Sequence, residues 1–293
     1  MMFFVDGSFL SFDKFASFDR EDSLVIDQSL GSETTKEAIC NNPDEMSFNC
    51  EEIEQMILST TLRIEIKTWI IYVEDQGYSS LSSNGYGTVM DGRYLLTHNH
   101  FQLPLLELLA DDFNGQFAKI TLYTANGSLL WQGPLTTAGV AFADSETLLL
   151  EFMARDGQGL FESLGIPSAD FTADITQQIT IGTTVAQVNW DNEQAYIQWT
   201  KVKDVFIEAG APVLQLTDCI IGGSSGGGVF LNGEHIANNW SRSRGCVAGS
   251  DDESLLYSKA AINSAELIAA SRVLCNNYDH NLLLDKKCPS NLN

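Results

Sequence analysis

YGTVMDGRYLLTHNH, residues Tyr86 to His100, is the stretch on which the reading of this chain turns. Tyr86–Met90 and Tyr94–Thr97 are short runs rich in β-branched, aromatic and aliphatic residues. Asp91-Gly92 between them suits a tight reversal, because such turns demand positive φ at their central positions. The stretch therefore predicts a β-hairpin. Its second strand stops at Thr97, and His98 and His100 follow at once. A histidine at a strand end is held rigidly yet reaches a cleft, and its near-neutral pKa suits proton transfer. A plain pair of surface histidines is the alternative. A zinc site is unsupported: the other histidines are His235 and His280, and no His-x-x-x-His pair exists.

Outward from this hairpin the texture stays β. Strand candidates are Thr68–Val73, Ala118–Tyr123, Leu129–Gln132, Val140–Phe142, Thr147–Phe152, Thr184–Val188, Ala195–Thr200, Pro212–Leu216, Gly228–Leu231 and His235–Asn239. Asn126-Gly127 and Asn232-Gly233 punctuate them. Many short strands with turns about every 8–12 residues predict a sandwich or barrels, not a parallel sheet. Two helices are expected. One runs from Asp44 to about Leu62, where Met46, Ile53, Met56, Ile57 and Leu58 recur near helical spacing. The other runs from Ser258 to about Leu274, through a series of good helix formers. Residues before about Thr60 are acidic and weakly periodic, and read as an N-terminal extension.

The chain has 293 residues, 44% of them hydrophobic, enough for a substantial core. It carries 16 Lys plus Arg against 39 Asp plus Glu, a formal net charge of −23. Such a surface repels nucleic-acid phosphates and anionic lipid headgroups, so neither is an expected partner. No apolar run approaches the roughly 20 residues needed to span a bilayer. The opening MMFFVDGSFLSFDKF is interrupted by Asp6, lacks a basic start and shows no small-residue cleavage site, so it does not read as a signal peptide. Six cysteines, at 40, 50, 219, 246, 275 and 288, are compatible with disulfides and a secreted or otherwise oxidising location. Their sparseness leaves buried thiols as the alternative, and none has metal-type spacing.

Two further segments carry chemistry. In Gly222-Gly223-Ser224-Ser225-Gly226-Gly227-Gly228, glycines permit a tight turn with unusual backbone angles. Such a turn aims successive N–H groups at one point, where an oxyanion develops during acyl transfer, and leaves a serine hydroxyl accessible. The alternatives are a flexible loop or an anion-binding nest. In Ala143-Asp144-Ser145-Glu146-Thr147-Leu148-Leu149-Leu150, acids stand just before an apolar strand. A buried carboxylate there could orient a histidine and stabilise its imidazolium; an ordinary acidic turn is the competing reading.

In this order the three segments resemble chymotrypsin-like serine proteases, above all the bacterial Deg-type and secreted glutamyl-type enzymes. Gly87 through Thr97-His98-Asn99-His100 is similar to their strand, turn, strand and T-x-x-H. Gly223-Ser224-Ser225-Gly226-Gly227 resembles their G-[DN]-S-G-G-P motif, and Ile181–Asn189 resembles a strand of their second barrel. The resemblance, which covers roughly Thr68 to Asn263, implies His100 as general base and Ser225 as nucleophile. It implies the Gly223 and Ser225 amides as oxyanion hole, and Asn239, Trp240 and Ser241 as the substrate strand. Thr217 and Asp218 would lie near the pocket base, with Asp218 either a selector of basic side chains or a structural residue. Cys219 and Cys246 would form the disulfide that many members place there.

The sequence departs from the family at four points. The family's D-x-A-L-L acid falls on Glu146, one methylene longer than Asp, with Asp144 as the alternative. Ser224 replaces the usual Asp or Asn. Gly228 replaces the usual Pro. No activation-type N-terminus is present, and no PDZ-sized segment follows.

The resemblance therefore implies an all-β fold of two six-stranded antiparallel barrels, with an N-terminal extension and a C-terminal helix. The expected division is an acidic extension over 1–63, the double barrel with its helix over 64–275, and a tail over 276–293. The implied activity is serine endopeptidase, acting on protein or peptide substrates without cofactor or metal. The alternative is an inactive homologue that binds peptide.

Overall fold

The computed structural model describes residues 49–72, 77–99, 117–144, 146–171, 179–264 and 267. Helix α1 (Cys50–Thr60) begins where Asn49 Oδ1 accepts the Glu51 N–H at 3.1 Å, an N-cap that satisfies an otherwise orphaned donor. Glu51 and Glu52 stand in its first turn, where negative charge complements the helix dipole. Its buried residues Cys50, Ile53, Ile57 and Thr60 share one face. The Thr60 and Thr61 hydroxyls both donate back to the Ile57 carbonyl, and the chain turns directly into a strand. The part of the predicted helix before Asn49 lies outside the described residues.

Strand β1 (Thr61–Tyr72) buries Leu62, Ile64 and Ile66 on alternate positions, the period of a half-buried strand. It pairs antiparallel with β2 (Gly77–Met90), which turns into β3 (Tyr94–His98). The predicted hairpin is present: Asp91 and Gly92 sit at φ 47° and 65°, and Met90 pairs with Tyr94. Then follow β4 (Phe117–Thr124), β5 (Leu129–Pro134), β6 (Ala138–Ala143) and β7 (Thr147–Phe152). These seven strands form one curled sheet in the order β5-β4-β1-β2-β3-β7-β6. Its concave side packs Ile64, Leu95, Ile120, Leu122, Leu148 and Leu150. The short helix α2 (Leu160–Ser163) covers one end, with the Phe161 ring 5.4 Å from that of Phe152.

The second half closes completely. Strands β8 (Thr184–Trp190), β9 (Ala195–Glu208), β10 (Ala211–Leu216), β11 (Gly228–Leu231), β12 (Glu234–Arg242) and β13 (Ser258–Ile262) form a six-stranded barrel in the order β10-β13-β12-β11-β8-β9. Closure removes every free strand edge. A five-residue helix, α3 (Arg244–Ala248), follows β12. No helix among the described residues is long and apolar enough to cross a membrane.

The fold is mostly β and double-barrelled, as expected, with two amendments. Among the described residues the first half is a curled, half-barrel sheet of seven strands, where six in a closed barrel were expected. Residues 258–262, read from the sequence as the start of a helix, are strand β13. Its alanines satisfy helix propensity, but Ala260 and Ala261 fill the narrow seam between β10 and β12 that closes the barrel. Tertiary pairing thus overrides propensity here. Beyond Ser264 and Leu267, the predicted C-terminal helix lies outside the described residues.

The two halves and α1 meet in a shared cluster: Ile53 and Ile57 from the helix, Tyr86 from β2, and Val188, Ile197, Trp199 and Phe230 from the barrel. Trp199 Nε1 donates to Glu54 at 2.7 Å, which fixes the helix against β9. Ile57 is wholly buried in this seam. Ile57→Ala should lower unfolding free energy by about 2–5 kcal/mol, the usual range for emptying such a site. Urea titration followed by tryptophan fluorescence measures it; a loss below about 0.5 kcal/mol, the level typical of surface positions, would show that the helix is not part of the cooperative core.

Candidate active site

The glycine-rich turn between β10 and β11 is held from three sides. From behind, the wholly buried Ser224 donates its hydroxyl to Asn189 Oδ1 at 2.6 Å. The same oxygen accepts the Ile221 N–H at 3.1 Å, and Asn189 Nδ2 donates to Gln198 at 2.8 Å. From the side, β12 clamps the turn: Gly226 N–H donates to the Asn239 carbonyl at 2.9 Å, and Asn239 N–H to the Gly227 carbonyl at 2.8 Å. From the front, Tyr86 N–H donates to the Ser225 carbonyl at 2.8 Å. Thr97 Oγ1 donates to the Tyr86 carbonyl at 2.6 Å in the same contact.

Two glycines in the turn are required for stated reasons. Gly223 adopts φ 98° above the Trp190 ring, where a Cβ would lie 2.5 Å from ring carbon. Gly226 adopts φ 78° directly against Thr97 Oγ1 and the Tyr86 carbonyl, with no room for any side chain. Trp190 is itself sandwiched, since the Arg63 guanidinium of β1 lies 5.1 Å from its ring, a favourable cation–π contact. The unusual Gly228 also has a cause. A Cβ there would meet Thr88 Oγ1 at 2.8 Å as well as the Phe230 ring, so the backbone of β11 abuts β2 without room for a proline.

Ser225, the predicted nucleophile, is therefore half-buried where the second barrel touches the end of β3. Among the described residues, neither its hydroxyl nor the N–H groups of Gly223 and Ser225 hydrogen-bond to protein. His100, the predicted base, lies outside the described residues, as does Ser145. His98 is described: its Nδ1 donates to the Glu146 carbonyl at 2.7 Å, and burial holds its pKa below the ordinary value. Asn99 N–H donates to the same carbonyl at 3.0 Å, and the Asn99 side chain to the Asp144 carbonyl. The chain leading to His100 is thus pinned to the acidic segment.

The two candidate acids differ in their surroundings. Asp144 is engaged at both oxygens: Oδ1 accepts the N–H groups of Glu146 at 2.9 Å and Thr147 at 2.7 Å, and Oδ2 accepts the Ser264 hydroxyl at 3.0 Å. Glu146 is only 7% exposed, and among the described residues its carboxyl has no hydrogen-bond partner. Burial, and then the charges of Asp144 and Glu208, push its pKa up to about 7. Both acids line a cleft of about 210 Å³ with Pro212, Ala261 and Ser264.

The remaining predicted residues divide. Asn239 is wholly buried and its side chain faces inward, accepting from Gln187 at 2.8 Å and donating to the Val188 carbonyl at 2.6 Å. Its backbone borders the turn, and its Nδ2 also donates to the Ser224 carbonyl at 3.2 Å. Trp240 and Ser241 are half-buried on β12, with Lys259 Nζ 5.9 Å from the Trp240 ring. Thr217 is exposed and donates to Asp218 Oδ2 at 3.1 Å. Cys219 and Cys246 form the disulfide the resemblance implied, which ties the turn to the segment after β12. Cys50 is disulfide-bonded as well. Sequence reasoning missed Asn189 and Gln187, which anchor turn and substrate strand. The signal in the sequence was two amides, two residues apart, on the same parity as Val185 in a largely apolar strand.

A closed six-stranded antiparallel barrel facing a curled β-sheet, with a glycine–serine turn at their junction, defines the trypsin-like double-barrel fold. Solved structures show the same fold. A serine-to-alanine variant of the HtrA-type protease AlgW with a decapeptide matches with a TM-score of 0.53 at 14% identity, over 80% of this chain and 68% of that one. The HtrA-type protease AlgW with a decapeptide matches with a TM-score of 0.51 at 13% identity, over the same shares. No protein-family model and no curated protein matches the chain in sequence.

Two outcomes follow from this geometry. Gly226→Ala should lower Tm by several degrees, because the new methyl would drive the turn away from Thr97; differential scanning fluorimetry reads it, and an unchanged Tm would show that the junction yields freely. Glu146 holds its proton more tightly folded, near pH 7, than unfolded, near its ordinary 4.5. The stability this contributes is present below about pH 4.5 and is lost as pH rises through about 7. Glu146→Gln should therefore raise Tm relative to wild type at pH 8 and leave it little changed at pH 4. A lower Tm for the variant at pH 8 would instead mean that a cation holds this carboxyl ionised.

Proposed function

We propose that the chain is a serine endopeptidase that cleaves protein or peptide substrates through an acyl-enzyme. The observation that carries the reading is the junction itself. The Ser225–Gly226 backbone is packed against Tyr86 and Thr97, three residues before His100, while the Gly223 and Ser225 N–H groups remain unspent. In this reading Ser225 Oγ attacks the scissile carbonyl as His100 takes its proton. The carbonyl oxygen becomes an oxyanion, stabilised by the two free amides, each worth roughly 2.7–4 kcal/mol in comparable sites. His100 then protonates the leaving amine, and water resolves the ester with His100 again as base.

Glu146 is the better candidate for the acid that orients His100. Its buried carboxyl has capacity to accept an imidazole N–H, whereas that of Asp144 is spent on backbone and Ser264. A carboxyl with a pKa near 7 must ionise before it can stabilise an imidazolium, so kcat/KM should rise with pH through neutrality. Peptide substrates accord with the peptides bound in the AlgW structures. The disulfide supports an oxidising location.

A second reading, peptide binding without turnover, is favoured by one observation: Glu146 lies between neutral and ionised at physiological pH. A fluorophosphonate probe separates the two. An activated serine should label, and Ser225→Ala and His100→Ala should abolish the label. Ser225→Ala should also cut kcat/KM on a casein-type substrate by about 10³-fold or more, with Tm unchanged. A wild-type protein that binds peptide but neither labels nor cleaves would be the inactive homologue.

A further inference from the structure

Ile221, Gly222, Gly223 and Ser224 form a β-turn, closed where the Ser224 N–H donates to the Ile221 carbonyl at 3.1 Å. Gly223 stands at φ 98° while Gly222 lies outside the positive range, the arrangement of a type II turn. The Gly223 N–H belongs to the central peptide of this turn. Type I and type II turns differ by a half-rotation of that peptide, so the turn type decides which way the N–H points. Neither central residue has a Cβ, so sterics within the turn leave both types open. The choice falls to what packs against it.

Trp190, at the end of β8, packs there. The Gly223 backbone lies against its six-membered ring: Cε3 and Cζ3 are 2.5 and 2.6 Å from the point a Cβ on Gly223 would occupy. Among the described residues Trp190 Nε1 has no hydrogen-bond partner, so packing sets the angle of the indole. Arg63 supplies part of that packing. Its guanidinium stands 5.1 Å from the Trp190 ring and 5.3 Å from the ring of Tyr123. Glu65 accepts the Tyr123 hydroxyl at 2.9 Å and pairs with Lys67 at 2.8 Å, which steadies the far end of the stack. In the sheet register Arg63 is opposite Tyr123 of β4 on one side and Tyr86 of β2 on the other. This one row of the sheet therefore meets the serine turn twice. The Tyr86 N–H fixes the Ser225 carbonyl, and Arg63 reaches Gly223 through Trp190. Those are the two residues whose amides face the oxyanion in the reading above.

We propose that Trp190, braced by Arg63, is a positioning residue for the oxyanion hole: it holds the central peptide of the turn so that the Gly223 N–H points at the developing oxyanion. The proposal rests on the endopeptidase reading and adds to it a residue that acts through Gly223. An amide aimed at where charge develops stabilises the transition state more than the bound substrate. Loss of the support should therefore fall on kcat and spare KM.

The test compares Trp190→Ala, Trp190→Phe and Arg63→Met with Trp199→Ala, a control that empties an aromatic site of the same cluster where it holds α1 through Glu54. Each is assayed for kcat and KM on one peptide, for Tm, and for inhibition by a peptide boronic acid, whose tetrahedral adduct with Ser225 carries an oxygen into the oxyanion hole. Trp190→Ala should lower kcat by about tenfold to a hundredfold, less than the roughly 10²–10³ that follows outright loss of a donor. It should weaken the boronate by a similar factor and change KM by less than about threefold. Trp190→Phe should recover most of kcat, and Arg63→Met should fall between. The pH midpoint of kcat/KM should not move, since acid and base are untouched. Trp199→Ala should lower Tm and leave kcat within about twofold. An unchanged kcat in Trp190→Ala, a rise in KM alone, or an equal loss of kcat in Trp199→Ala would overturn the assignment. Should Trp190→Ala fail to fold, Arg63→Met decides on the same kcat and boronate readings. Wild-type activity that the Trp190 and Arg63 variants keep in full defeats this proposal alone; a wild type that neither cleaves nor takes up the boronate defeats the endopeptidase reading and this one with it.

Discussion

The contact on which the rest depends is small: one backbone hydrogen bond from Tyr86 to Ser225, and the absence of a side chain at Gly226. The closed barrel and the curled sheet share an apolar seam and a few polar contacts, such as the Ala195 N–H to the Ala125 carbonyl at 2.7 Å and Ser264 to Asp144, but this contact is the one that fixes the serine turn itself. Hydrophobic contact is non-directional, whereas a hydrogen bond at 2.8 Å between buried backbones sets register to within a fraction of an ångström. Positioning a nucleophile against a base from another structural unit requires that kind of precision. A glycine at positive φ is the means by which the turn comes close enough to make it.

The same logic explains the amide network behind the turn. Ser224 stands where the resembling proteases carry Asp or Asn, and a neutral hydroxyl cannot form a salt bridge with a newly formed α-amine. Asn189 takes over the anchoring, with its oxygen shared by Ser224, Ile221 and Trp190 and its nitrogen given to Gln198. Gln187 does the equivalent for Asn239. Every bond in this set is neutral, so the turn is ordered without a chemical event to trigger it and without the desolvation cost of a buried ion pair. A substitution that looks like a loss in the motif is matched by polar residues at a distance of some 35 positions along the chain.

Those compensations were the part the sequence hid. The hairpin from Tyr86 to His98 was legible because its turn chemistry is local: Asp91 and Gly92 announce positive φ whatever surrounds them. The serine turn was legible for the same reason. Strand β13 was misread because alanine favours helices locally, while the barrel needs small residues at the seam, and only the partner strands reveal that need. Gln187 and Asn189 look like the solvated face of a strand until β12 and the serine turn are seen to cover them. The sequence put Glu146 ahead of Asp144 only through the apolar register of the strand, since both share strand parity. The physical ground for that order is what each carboxyl already bonds, which only the folded chain displays.

Charge supplies the last constraint, and it acts on two length scales. The net −23 of the chain repels an acidic peptide at long range, but in physiological salt such fields fade within about 8 Å. A contact inside the cleft is screened far less. Cations are therefore effective one at a time and only where they are placed: Arg63 under Trp190 and Lys259 against Trp240. Both stiffen walls. On so acidic a surface, charge separates encounter from contact: the far field sets how often a peptide arrives, and cations placed beside the serine turn act only once it has.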